Sequence, residues 1–265
     1  MPGETILITG ASSGIGLELA KCFAAEQFAN DNGRIILVAR NTHALESLAA
    51  ELRRDWKVEV TVLTADLSLP ETPKRIFSEL SAQKISVDVL VNNAGFGAHG
   101  SFVEMSLPRQ LEMLQVNIAA LTELTGLFLP GMIQRKRGGI LNVGSVAGFL
   151  PGPGMAVYYA TKAFVLSFTE ALAEELLGTG LKVSVLCPGP TESNFGNVAR
   201  GEKVRQMKTS KMSAEAVAQY GHRAFRNGKV TAIPGVQNKM FVFLNRFAPR
   251  WLPRKIINFY NRTKN

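Results

Sequence analysis

Seven short runs rich in Val, Ile and Leu recur along this chain, separated by longer segments of helical period. The runs are Thr5–Thr9, Arg34–Ala39, Val58–Thr64, Val87–Val91, Gly139–Val143, Lys182–Leu186 and Val230–Pro234. Several are apolar throughout instead of alternating, the pattern of parallel strands covered on both faces. The segments Ile15–Ala29, Thr42–Asp55, Pro70–Lys84, Pro108–Arg135, Val157–Gly178 and Ala214–Asn227 read as helices. Strands joined by helical crossovers give an α/β fold, a doubly wound parallel sheet of about seven strands with helices on both faces. Such a sheet binds its ligand beyond the carboxyl ends of the strands. Residues that carry chemistry are therefore expected just after each strand.

The first strand runs into Thr9-Gly10-Ala11-Ser12-Ser13-Gly14-Ile15-Gly16. Glycines at a strand–helix turn let a phosphate approach the backbone, and the helix start offers free N–H groups. The alternative is a purely structural turn. The second strand ends Val38-Ala39-Arg40-Asn41, without the acid that would bind a ribose 2′-hydroxyl. Arg40 suits a 2′-phosphate, which points to NADP(H); otherwise it is a surface arginine. Asp66 and Leu67 follow the third strand. Asp66 either accepts an adenine amino group or caps the next helix.

Tyr158 and Lys162 stand four apart on a predicted helix and so share a face. Tyrosine has a reference pKa of about 10, too high for proton exchange at neutral pH. A neighbouring ammonium favours the phenolate and lowers it. Ser145, thirteen residues before Tyr158, can hold a substrate oxygen while Tyr158 gives or takes its proton. Asn117 can anchor a water linked to the lysine. Tyr159 competes with Tyr158 but has no lysine four residues on.

The glycine turn, Asn92-Asn93-Ala94-Gly95, Asn117, Ser145, Tyr158-x-x-x-Lys162 and Pro188-Gly189-Pro190-Thr191 together resemble the motifs of the short-chain dehydrogenase/reductase family, in family order across about residues 5–235. The resemblance implies a Rossmann-type domain, an Asn117–Ser145–Tyr158–Lys162 catalytic set, and a homodimer or homotetramer. It implies that Gly10, Ser12, Ser13, Gly14, Ile15 and Gly16 form the pyrophosphate turn. By the same analogy Asn93, Ala94 and Gly95 line the adenosine side, and Pro188 and Thr191 flank the nicotinamide. The run Leu37–Asn41 resembles NADP-preferring members that act on steroid, retinoid or 3-keto lipid carbonyls. Residues 192–213 correspond to a substrate flap. Phe96, His99, Phe102, Phe149, Leu150, Pro151, Met155 and Phe195 either line an apolar pocket or pack the core. A cofactor-binding scaffold without turnover is the competing function, and the intact Tyr158–Lys162 pair argues against it.

Charge divides the chain after Glu215. The net charge is +9, yet the ten Lys and Arg after Glu215 face no Asp or Glu, which leaves the preceding body near neutral. The family resemblance ends near residue 235, so residues 1–235 are expected to form the catalytic domain and 236–265 a basic, aromatic helical extension. Met240, Phe243, Leu244 and Phe247 form one helical stripe, with Pro249 and Pro253 dividing the extension into two short helices. Residues 237–265 either contact an anionic membrane peripherally or pack on the protein or a second subunit. Nucleic acid is not an expected partner. No basic leader precedes the first strand, and the uncharged stretch Gly138–Thr161 holds six Gly and two Pro, a turn-rich loop instead of a membrane span. Two distant cysteines, Cys22 and Cys187, read as reduced core thiols of a cytoplasmic protein, and no metal is implied.

Overall fold

The computed structural model describes residues 3–28, 33–192 and 211–261. Strands β1 (Thr5–Thr9), β2 (Arg34–Ala39), β3 (Glu59–Thr64), β4 (Val89–Asn92), β5 (Gly139–Val143), β6 (Lys182–Leu186) and β9 (Thr231–Ala232) form one parallel sheet in the order β3-β2-β1-β4-β5-β6-β9. The order reverses beside β1, which pairs with β2 (Thr5 opposite Arg34) on one side and β4 (Ile6 opposite Val89) on the other. That reversal opens the crevice in which such sheets hold ligands. β7 (Thr191–Glu192) and β8 (Met212–Ser213) form a separate two-stranded ladder.

Alternate residues of each strand enter opposite layers. Ile6, Ile8, Ile35 and Leu37 pack against α1 (Gly14–Phe28), α2 (Thr42–Trp56) and α7 (Ala214–Arg226). Leu7, Ile36 and Val38 face α3 (Thr72–Ala82), α5 (Ala120–Arg135) and α6 (Ala156–Glu175). Both strand faces are buried, which is why these runs carry no polar alternation. α1 and α7 are also clamped electrostatically: Glu26 accepts from His222 and from Arg226, each at 2.9 Å, and Arg226 reaches Glu4 at 2.6 Å.

Boundaries differ from the sequence expectation where a side chain competes for the backbone. Asp88 accepts the Thr5 N–H at 3.0 Å and faces Arg135 and Arg137, and β4 begins only at the next residue. The long helix expected over Pro108–Arg135 is α4 (Leu107–Leu114) and α5 joined by a π turn, Gln115–Ala119. In the extension, α8 (Val236–Asn245) and α9 (Trp251–Asn261) appear as two short helices, with Pro253 in the first turn of α9. A proline there displaces no helical hydrogen bond. α9 buries Pro253, Ile257 and Asn261, whereas α8 buries none of its residues. The stripe Met240, Phe243, Leu244 and Phe247 is therefore exposed, not packed on the body of its own chain.

Candidate active site

The crevice at the reversal begins with the glycine turn. Gly10 has φ +66°, a left-handed conformation that favours glycine. A Cβ on Gly16 would overlap the Gly10 carbonyl and the Asn93 amide, so helix α1 can approach the turn closely only with glycine there. Asn93 Nδ2 donates to the carbonyls of Thr9 (2.9 Å) and Gly10 (3.1 Å), and Thr9 Oγ1 accepts from the N–H groups of Asn93 and Ala94, both at 3.0 Å. The Asn93 side chain thus shapes the turn, and the backbone of Asn93–Gly95 is what borders the crevice. Ser12 is half-buried, Ser13 exposed and Ile15 packed against the core, just where the first N–H groups of α1 lack helical acceptors.

Arg40 is exposed at the end of β2, and Asn41 caps α2 by accepting the Ala44 N–H at 3.1 Å. Asp66 accepts the Ser68 N–H at 2.9 Å, so it makes a local turn instead of capping α3. Burial would raise the Asp66 carboxyl, but its bonds to Ser68 and the charge of Arg40 outweigh this and hold it below the usual value. Arg40 and Asp66 therefore act on the same region. Leu67, by contrast, has its side chain in the core beneath α3.

Beyond β5 the second cluster assembles. Ser145 caps the short 3-10 turn Val146–Phe149: its Oγ accepts the Ala147 N–H at 3.1 Å and lies 3.4 Å from the Pro188 carbonyl. Lys162 Nζ donates to the Val143 carbonyl at 2.8 Å and sits 6.0 Å from the centre of the Tyr158 ring. Tyr158 is 8% and Lys162 6% exposed. Burial pushes the Lys162 ammonium down to about 8. Asn117, in the π turn, donates from Nδ2 to the Phe96 carbonyl (2.9 Å) and Thr161 Oγ1 (3.0 Å), and its Oδ1 accepts the Phe96 N–H (3.1 Å). Its side chain is thereby committed to positioning the loop after β4 against α6. A Cβ on Gly95 would stand 3.0 Å from Asn117 Oδ1 and 3.6 Å from Lys162 Nζ, which brings the glycine-turn and lysine clusters into one site.

Pro188 is buried and its carbonyl also accepts the Val146 N–H at 3.0 Å, while Thr191 Oγ1 donates to Gly189 at 3.0 Å. The Tyr159 ring packs on Gly152, edge-on to Tyr158. Both cysteines are free; burial pushes Cys22 up to about 11 and Cys187 up to about 12, so neither is a thiolate at neutral pH. No cluster of metal-ligating side chains occurs among the described residues. Of the expected pocket residues, Leu150 and Met155 are core, Phe96 lies under the Arg109 guanidinium at 4.0 Å, and Phe102 is exposed. Phe195 and most of the 192–213 flap fall outside the described residues.

Two features escaped sequence reasoning. Asn92 Nδ2 donates to Asn142 Oδ1 (3.0 Å) and Thr125 Oγ1 (3.1 Å), and Asn142 Nδ2 donates to Thr169 Oγ1 (2.9 Å). This polar row is fully buried between β4 and β5; lone asparagines inside otherwise apolar strands were its signal. The extension is also tied to the site. Asn245 donates to the Phe149 carbonyl and Asn261 to the Pro153 carbonyl, each at 2.8 Å, while His99 Nε2 meets the Asn261 carbonyl at 2.6 Å. Nothing in the sequence distinguishes these asparagines from surface residues.

A parallel sheet with a glycine turn at its reversal, and a buried Tyr–Lys pair beside a serine, define a dinucleotide-binding oxidoreductase fold. The profile of the short chain dehydrogenases matches residues 4–203. The chain is 30% identical over 266 residues to a very-long-chain 3-oxoacyl-CoA reductase of Rattus norvegicus, covering 98% of this chain and 80% of that one. It is 34% identical over 199 residues to an NADP-dependent 3-hydroxy acid dehydrogenase of Schizosaccharomyces pombe, 75% of each chain. A short-chain dehydrogenase from Sphingobium yanoikuyae, solved in complex with NADPH, superposes with a TM-score of 0.80 at 32% identity, over 93% of this chain and 96% of that one. The chain belongs to the short-chain dehydrogenase family and is an oxidoreductase of the CH–OH/C=O couple.

Proposed function

We propose that this protein interconverts a lipophilic carbonyl and its secondary alcohol, with Tyr158 as acid–base, Ser145 holding the substrate oxygen and Lys162 tuning both tyrosine and cofactor. Its cofactor is NADP(H). The residues present fit that group. A Cβ would fill the glycine turn, Arg40 stands free for a 2′-phosphate, and Lys162 uses one of its three donors on Val143, leaving two for ribose hydroxyls. Gly10, Ser12–Gly16, Arg40, Asp66, the backbone of Leu67 and Asn93–Gly95, Tyr158, Lys162, Pro188 and Thr191 would surround it.

Bound NADPH supplies the hydride. Ser145 Oγ holds the carbonyl oxygen, and Tyr158 Oη donates its proton as charge develops there. Lys162, protonated in the loaded site, lowers the Tyr158 pKa and so matches the acid to neutral pH. Asn117 keeps α6 and the β4 loop in register as a positioning residue. One observation carries this reading: among the described residues the one buried ammonium, Lys162, lies within one helical turn of Tyr158 and against the strand that leads to Ser145.

The same reading assigns catalysis to residues 1–235 and treats 236–265 as an extension with a membrane-facing role. It takes the protein as a cytoplasmic homodimer or homotetramer. Support for self-association comes from helix Leu107–Arg135, long and apolar enough to cross a membrane by length and composition, yet with only 39% of its most apolar window buried. Leu107 and Leu111 project from it exposed. The name of the rat relative supports a long-chain 3-keto lipid as substrate. The test is NADPH oxidation on aromatic and long-chain ketones. Tyr158→Phe is expected to lower kcat by on the order of 10²–10⁴ with NADPH affinity retained. Tyr159→Phe, whose ring packs on Gly152, should leave turnover nearly intact. Loss of turnover in Tyr159→Phe alone, or no turnover of any carbonyl, would refute the assignment.

A further inference from the structure

The extension combines three properties. First, it is seated at the substrate side of the site. Asn245 binds the loop that follows Ser145, and Asn261 binds Pro153, five residues before Tyr158, and meets His99 in the loop after β4. All three contacts engage loops at the carboxyl ends of strands. Second, its outward face is apolar: Phe243 is 61%, Phe247 72% and Trp251 51% exposed. Phe102 and Val103, three and four residues beyond His99 in the loop after β4, are exposed as well. Third, Lys239, Arg254 and Lys255 on the two helices and Arg246 and Arg250 in the turn between them are exposed, and no acid follows Glu215 anywhere in the chain.

This combination selects among occupants. The chain's own core does not cover the stripe, because α8 buries no residue. A second copy meeting this face about a two-fold axis would set like charges against like, without acids to answer them. An anionic bilayer supplies both an apolar layer and the countercharge, with aromatics at the headgroup level. We propose that α8 and α9 seat the substrate entrance on an anionic lipid surface, so that a carbonyl dissolved in the bilayer enters the site directly from it. The entry claim rests on the reading of the site as a reductase of lipophilic carbonyls; the docking claim does not.

The test uses the full chain and vesicles of phosphatidylcholine alone or mixed with phosphatidylserine. Flotation is expected with the anionic vesicles and weakens as salt rises. Replacing Arg246 or Arg250 by Gln should weaken it roughly fivefold each. Phe243→Glu with Phe247→Glu should weaken it at least about tenfold, with an unchanged melting curve because both side chains are exposed. Activity is then compared on a water-soluble aryl ketone in solution and a long-chain ketone held in the vesicles. The paired variant should keep the first and lose the second. Wild-type protein that ignores anionic vesicles while reducing both ketones overturns the docking claim. So does a paired variant that floats like wild type, or one whose only change is dissociation of an oligomer. Flotation without turnover of either ketone would instead refute the reductase reading and leave docking standing.

Discussion

Lys162 is held where an ammonium is costly, and replacing it should separate stability from function. Its Nζ is buried, with Val143 as its one hydrogen-bond acceptor, and burial lowers its pKa from 10.5 to about 8. At one pKa unit per 1.36 kcal/mol, the folded state bears a cost on the order of 3 kcal/mol wherever both folded and unfolded lysines are protonated. Lys162→Met removes that charge while filling similar space. It also strips the Val143 carbonyl of its donor, a loss of about 1–2 kcal/mol. The variant should therefore be more stable than wild type by roughly 1–2 kcal/mol at pH 7, or about 2–4 °C in Tm per kcal/mol. Between the folded value near 8 and the unfolded 10.5, the unfolded wild-type chain binds more protons, so wild-type stability rises with pH. The gap between the two proteins should thus close as pH climbs through that window. Melting curves from pH 6 to 10.5, without added NADPH, read this directly. With NADPH added the order should invert, since the variant loses the ribose contact along with turnover. A variant less stable than wild type at pH 7, or a gap insensitive to pH, would show that the ammonium is not desolvated as the geometry implies.

Arg40→Asp should reverse the preference between NADPH and NADH in kcat/KM. A charge-assisted pair with the 2′-phosphate is worth roughly 1.5–3 kcal/mol, about 10- to 150-fold; an unchanged ratio would make Arg40 a surface residue. Gly16→Ala forces a methyl against the Gly10 carbonyl and should cost roughly 1–3 kcal/mol, with weakened NADPH binding. Calorimetry together with a cofactor titration checks both effects, and wild-type behaviour in either would contradict the close approach of α1 to the turn.

Much of the fold was legible because a doubly wound sheet writes itself plainly. β1, β2, β5 and β6 fall where their apolar runs lie, since both faces of each are buried. The placing of Tyr158 and Lys162 on one face of α6 was likewise readable from spacing, because residues four apart on a helix share a face. What spacing could not reveal was which atoms are already engaged. Asn93 and Asn117 were expected to face a ligand or a water, yet their side chains bind backbone carbonyls that only the tertiary fold brings near. The π turn at Gln115–Ala119 has no compositional mark, since every residue in it is acceptable in an ordinary helix. Of the expected stripe, Met240, Phe243 and Leu244 lie on α8 and Phe247 just past its end, but periodicity cannot say whether such a face is covered.

The asparagine row between β4 and β5 has a consequence for how the two halves of the site meet. β4 delivers Asn93–Gly95 to the crevice and β5 delivers Ser145, so the alignment of these strands sets the spacing between cofactor turn and acid–base cluster. Aliphatic strands slide past one another at little penalty, because valine opposite leucine is nearly as good as valine opposite isoleucine. Asn92 opposite Asn142 is not interchangeable in this way: any slip parts the two amides and leaves Asn142 Oδ1 without its donor in an apolar layer, about 1–3 kcal/mol. The pair works as a key cut into an otherwise smooth sheet, admitting one alignment, the one that brings the glycine turn and the serine to a common crevice.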